Sequence, residues 1–307
     1  MTREQSLILD FLRGGAALSV FFAHIQQILI NPSWMPFSLE RKNDLVPYLY
    51  SQLGAMGVMV FFVLSGYLIA CSIMRNISDN PRGTLDIWRF GAARLNRLYP
   101  PLVLSQLLVL AIFGLIYLIG ANNAEFFLTG QELYSARQSI SFEVYDYIGA
   151  WLFLSTMFFA LETPIINGPL WSLAHEFWFY VIAGLFALGI KRAWGLALAF
   201  CIVALIAHTR NTYFFYGLLV WSAGGLAALL GRPCILRLQG RGASIGIALI
   251  SIVLCVCWIR FALENNYLHQ YVFGVLFSVL LFAVLHSGHW TEWACKTLFV
   301  RYVAKCY

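Results

Sequence analysis

Apolar residues in this chain come in long blocks, not in alternating or every-third-or-fourth patterns. Residues 7–30, 53–74, 99–120, 168–190, 194–209, 212–230, 243–261 and 270–288 are each nearly continuous runs of apolar side chains. A helix rising about 1.5 Å per residue needs roughly 20 such residues to cross a hydrocarbon core about 30 Å thick. A surface helix of a soluble domain keeps a polar stripe, whereas these blocks are apolar on every face. The pattern predicts an all-α fold, a polytopic transmembrane helix bundle of about eight full spans. A shorter apolar piece, 147–160, is expected to be a re-entrant helix.

Composition sharpens this picture. Of 307 residues, 61% are hydrophobic and only 11% are charged, against about a quarter charged in ordinary soluble domains. So few charges cannot coat a globule of this size, and lipid is the expected solvent. Aromatic residues make up 16%, as suits a protein with Trp and Tyr at the headgroup level. A single membrane domain covering 1–307 is expected, with membrane lipid as its surroundings.

The net charge of +6 does not point to nucleic acid, because the basic residues lie between apolar spans, where they set orientation. Arg75, Arg82, Arg89, Arg94 and Arg97 mark 75–98 as a cytoplasmic loop, and Glu125, Glu132, Glu143 and Asp146 mark 121–146 as an outer one. With the N-terminus cytoplasmic, a re-entrant 147–160 keeps Lys191, Arg192, Arg232, Arg237, Arg241, Lys296, Arg301 and Lys305 on the inside. Counted as a full span, it would put all of them outside. No small-residue cleavage site follows the first apolar block, so it reads as a retained helix and not as a signal peptide. The seven cysteines lie scattered without metal-ligand spacing, so they read as buried free thiols and no metal is expected.

An ionisable residue inside a span costs about 2.5–3.5 kcal/mol on insertion scales, so each is a functional candidate. The first block holds Asp10, Arg13 and His24. Arg13 and His24 are eleven residues apart, about three turns and about 16 Å along nearly the same face. Asp10 and Arg13 are spaced to pair. A snorkelling arginine and a histidine bonded to a neighbouring helix would account for this block equally well. The segment Asn167 to Val181 holds Trp171 with His175 on one face and Ser172 with Glu176 on the adjoining one. Asn167 or Gly168 is placed to cap that helix and Pro169 to open it. An interfacial aromatic belt with a capping carboxylate is the plainer reading, but Glu176 lies two turns in. Arg94 and Arg97, one turn apart, make either a positive anchor or a cradle for phosphate groups. Ser65-Gly66 suits close helix packing.

Taken together, four segments resemble the acyltransferase 3 family of bacterial membrane proteins, which O-acylate envelope sugars and related acceptors. LDFLRGGAALSVFFAH resembles its Arg-x10-His motif at Arg13 and His24, and FFVLSGYLI its second-helix signature. Arg94-Leu-Asn-Arg97 before Tyr99-Pro100-Pro101 resembles its Arg-x-x-Arg segment. Trp171-Ser-Leu-Ala-His-Glu176, followed by Phe179-Tyr180, resembles its Trp-Ser-Leu-x-x-Glu segment. The resemblance implies transfer of an acyl group, acetyl first among candidates, from acyl-CoA to a hydroxyl of an envelope polysaccharide, lipopolysaccharide or lipid-linked sugar in the bacterial inner membrane. It implies His24 as base or acyl carrier, Glu176 as its orienting carboxylate, and Arg94, Arg97 and Arg13 as phosphate contacts, Arg13 also belonging to the catalytic set. Trp171, Ser172, His175 and Asp10 would face the acceptor. Family members continue through a further Tyr- and His-bearing helix and a tenth span, so the resemblance also implies that the last helices are missing here. A transporter using the same buried polar residues, or an inactive scaffold, are the competing classes.

Overall fold

A computed structural model of the chain describes residues 2–29, 45–118, 144–157, 161–164, 167–190, 192–209, 211–231, 241–264 and 267–286. The expected outer loop 121–146 falls almost entirely outside these residues, as do Lys191, Arg232, Arg237, Lys296, Arg301, Lys305 and whatever follows the last described helix.

All regular structure among the described residues is helical: α1 Arg3–Leu29, α2 Leu45–Asp79, α3 Ile87–Leu118, α4 Val144–Trp151, α5 Leu170–Gly189, α6 Ala193–His208, α7 Thr212–Leu230, α8 Arg241–Glu264 and α9 Tyr267–His286. Six of them (α1, α2, α3, α5, α7 and α9) are long and apolar enough to cross a membrane. The other two expected spans are also helices, but their apolar parts, Ala193–His208 and Ile245–Arg260, are shorter. Large apolar side chains such as Leu104, Leu107, Leu108 and Leu115 of α3 lie exposed, which suits lipid contact and not water. The protein is a multi-pass membrane protein. Cys71, Cys201, Cys255 and Cys257 are free thiols, but Cys201 and Cys255 lie on exposed helix surfaces and not in a core.

The chain divides into two compact units, Met1–Cys71 with Tyr216–Tyr307, and Ser72–Phe215. In the first, small residues bring backbones together. A Cβ on Gly66 of α2 would collide with the Trp221 carbonyl of α7, and a Cβ on Gly224 with the Val63 carbonyl. Trp221 Nε1 donates to Ser65 Oγ across the same seam at 3.2 Å. The expected packing role of Ser65-Gly66 is thus what the structure shows, by the close-approach logic of membrane helix pairs. Tyr216 stacks on Tyr271 at 4.7 Å, joining α7 to α9, and Gln5 Nε2 donates to the Leu285 carbonyl at 2.9 Å, tying α1 to α9. Because backbone atoms cannot swing aside, Gly66→Leu is expected to destabilise the protein by about 3 kcal/mol. Gly14→Ala, in mid-helix with nothing within 4 Å of the new methyl, should instead stabilise by about 0.5–1 kcal/mol. Thermal unfolding in detergent compares the two.

In the second unit, the turn between α2 and α3 is fastened by side chains. Asn76 Oδ1 accepts from the Asp86 amide at 2.8 Å, and Asp86 caps α3 by accepting from the Arg89 amide at 3.1 Å. That cap starts α3 at Ile87, a full three turns before the apolar block at 99. The helix continues through Pro100 and Pro101, as membrane helices tolerate when neighbours satisfy the freed carbonyls.

Among the described residues, the piece expected at 147–160 is helical over Val144–Trp151, eight residues, or about 12 Å, which is far too short to cross. The helix breaks because Phe153 and Thr156 take left-handed backbone angles, φ 56° and 62°. Tertiary bonds hold this costly geometry. Trp178 Nε1 donates to the Phe153 carbonyl at 2.8 Å, Tyr99 Oη to the Trp151 carbonyl at 3.3 Å and Asn211 Nδ2 to the Thr156 carbonyl at 2.8 Å. Phe153 is itself locked by stacking on Phe177 at 4.5 Å.

Candidate functional site

The residues predicted from sequence divide between the two units. In the first, Arg13 Nη1 donates to Asp10 Oδ1 at 3.2 Å, one turn apart on α1. Asp10 is exposed and His24 half-buried. The expected Asp10–Arg13 pair is therefore formed.

In the second unit, α3 and α5 bring charged side chains of two motifs onto one residue. Arg94 points inward, and its guanidinium carbon lies 5.7 Å from the Phe90 ring centre and 5.9 Å from that of Tyr180. Its Nη2 donates to Ser72 Oγ at 3.1 Å, and its Nε finds no partner among the described residues. The guanidinium carries five N–H donors in a rigid fork, so donors remain for a ligand. Tyr180, one turn beyond Glu176 on α5, donates its hydroxyl to Glu176 Oε1. Arg97 behaves differently. It is exposed on the outer side of α3, so the two arginines do not form one inward cradle.

The start of α5 departs from expectation. Pro169 occupies the cap position and no side chain caps the helix. Asn167 instead donates to Ser105 Oγ of α3 at 3.3 Å, and Ser172 Oγ donates to the Pro169 carbonyl at 3.1 Å. His175 is 2% exposed. Its Nδ1 meets the Trp171 carbonyl at 2.7 Å, and since a carbonyl only accepts, Nδ1 carries the proton. That leaves Nε2 as a buried acceptor with no partner among the described residues. Trp171, Phe179 and Phe214 surround the ring at 5.2, 6.2 and 5.6 Å. Gln106 of α3, fully buried with neither amide atom partnered among the described residues, drew no notice in the sequence because no motif surrounds it. Tyr180 and Ser72 were likewise missed as site residues. The i, i+4 spacing from Glu176 was the available signal for Tyr180, while Ser72 lies 22 residues from Arg94 and gave none. No group of three or more His, Cys, Asp or Glu side chains gathers as metal ligands would among the described residues.

The helices are those of a multi-pass membrane protein, and Arg94 and Glu176 within them are candidates for function because isolated charges are costly there. The acyltransferase 3 family model, described as an acyltransferase domain, matches residues 7–306, and the chain belongs to that family. It is 29% identical over 201 residues to an O-acetyl transferase of Shigella phage Sf6, a stretch covering 60% of this chain and 53% of the phage protein. It is 24% identical over 297 residues to a Staphylococcus aureus (strain COL) protein named "Putative O-acetyltransferase", covering 93% of this chain and 41% of that one. The chain thus spans about half the length of these curated relatives or less. No solved structure matches it.

Proposed function

We propose that the protein is an intramembrane O-acyltransferase that moves an acyl group, acetyl in the first instance, from acyl-CoA to a hydroxyl of a cell-envelope glycan. The observation that supports it most is the convergence of Arg94 and Glu176 on Tyr180. Two charged side chains from separate family motifs share one partner inside helices of membrane-spanning character, where isolated charges are expensive. Arg94 offers the planar fork that suits phosphate oxygens of a CoA donor, with Arg97 and Arg13 as further phosphate contacts. His24 is the base that takes the acceptor hydroxyl's proton, or the carrier that holds the acyl group, since a ring nitrogen can accept either. Glu176 is the carboxylate of the transfer step. Trp171, Ser172, His175 and Asp10 face the acceptor. His175 Nε2, a bare acceptor in an aromatic surround, suits a sugar hydroxyl. The protein works in the bacterial inner membrane with its N-terminus in the cytoplasm, where acyl-CoA is found.

The test is made in membranes carrying the chain and in membranes lacking it, both given radiolabelled acetyl-CoA and envelope glycan. Label in an alkali-labile ester on the glycan, only where the chain is present, is the expected result. Label that crosses the bilayer without becoming esterified would favour a transporter instead.

A further inference from the structure

Residues 176, 180 and 184 fall on one face of α5, four apart, and that face meets Phe90 and Arg94 of α3. Gly184 makes the approach possible. A Cβ there would already stand 3.2 Å from Phe90 Cε1, so the Phe90 ring packs directly against α5 and helps hold Arg94 above it. Tyr180 is 3% exposed and touches both charged groups with different parts of its side chain. Its ring face carries the negative end of an aromatic quadrupole toward the guanidinium. Its hydroxyl donates to the carboxylate, and donation to an anion raises the electron density of the ring, so the two contacts reinforce each other.

We propose that Tyr180 is a positioning residue of the acyl-transfer site. Its ring sets the Arg94 guanidinium and its hydroxyl sets the Glu176 carboxylate, so donor-binding cation and transfer-step anion are placed by one side chain. The inference takes its chemistry from the acyl-transfer reading, whereas the contacts themselves do not depend on it.

Two substitutions separate the two contacts. Tyr180→Phe keeps the ring and its volume but removes the hydroxyl. Tyr180→Leu removes both. In purified full chain given acetyl-CoA and envelope glycan, Tyr180→Phe is expected to lower kcat about tenfold, the usual scale for a lost hydrogen bond to a charged group. It should leave the acetyl-CoA KM within about twofold. Tyr180→Leu should lower kcat comparably and also raise that KM at least about fivefold, since Arg94 loses its seat. A merely structural role would not split kcat from KM in this way. Wild-type kcat in Tyr180→Phe, or the same KM in both variants, overturns the proposal. If the wild-type chain transfers no acyl group, the acyl-transfer reading fails separately. The positioning is then decided by thermal unfolding of Tyr180→Phe, Glu176→Ala and the double variant. A double variant less destabilised than the two single losses combined is the expected result, and strictly additive losses overturn the proposal.

Discussion

Replacing His24 with alanine is expected to lower acyl transfer at least about 100-fold while the chain inserts and unfolds as the wild type does. General acid–base catalysis contributes typically about 10²–10⁴ in rate, and covalent catalysis depends on the nucleophile outright. The loss should appear in kcat and in kcat/KM together, the sign of an interaction made in the transition state. Stability should change little, because the half-buried His24 side chain is no core element; its neighbour Ala23 is the buried residue at this point of α1. His24→Gln, which preserves hydrogen bonding without a basic nitrogen, should be as inactive as the alanine variant. A folded His24→Ala chain with full activity would remove His24 from the mechanism.

Arg94→Ala is expected to raise the acyl-CoA KM at least about tenfold, as charge-assisted bonds to phosphate are worth roughly twice a neutral bond. It should also cost stability, because Ser72 loses its donor and the Phe90 and Tyr180 rings lose their cation. Arg94→Lys restores charge but not the planar fork, so only part of the KM loss should return. Arg97 is exposed on the same helix, and Arg97→Ala should raise KM only a few-fold, an effect that shrinks at high salt through screening. Initial-rate kinetics over a range of acetyl-CoA and salt concentrations test all three variants. Equal losses for Arg94→Ala and Arg97→Ala would contradict the difference in their environments.

Much of the fold was legible because apolar blocks dictate helices when lipid is the solvent. The blocks at 168–190, 194–209, 212–230 and 270–288 lie within a few residues of α5, α6, α7 and α9. Where reading failed, contacts distant in sequence had decided the backbone. The 147–160 piece looked continuous, but Trp178, Tyr99 and Asn211 bind its carbonyls and turn Phe153 and Thr156 left-handed. Asn167 looked like a cap and serves Ser105 instead. The motif spacing picked out Arg94 and Glu176, but it could not reveal that Tyr180 joins them, since only the packing of α3 on α5 brings the ring beneath the guanidinium. Likewise the one-turn spacing of Arg94 and Arg97 suggested a shared cradle, whereas position around α3 turns one inward and leaves the other outside.

Transfer from acyl-CoA to a hydroxyl releases two products, and both can be counted at once. Purified chain in lipid nanodiscs is given labelled acetyl-CoA and envelope glycan, and free CoA thiol and glycan ester are measured over time. One thiol is expected for each ester formed, with both absent when His24 is alanine. Thiol release without ester, or no thiol release at all from correctly inserted chain, would contradict that transfer.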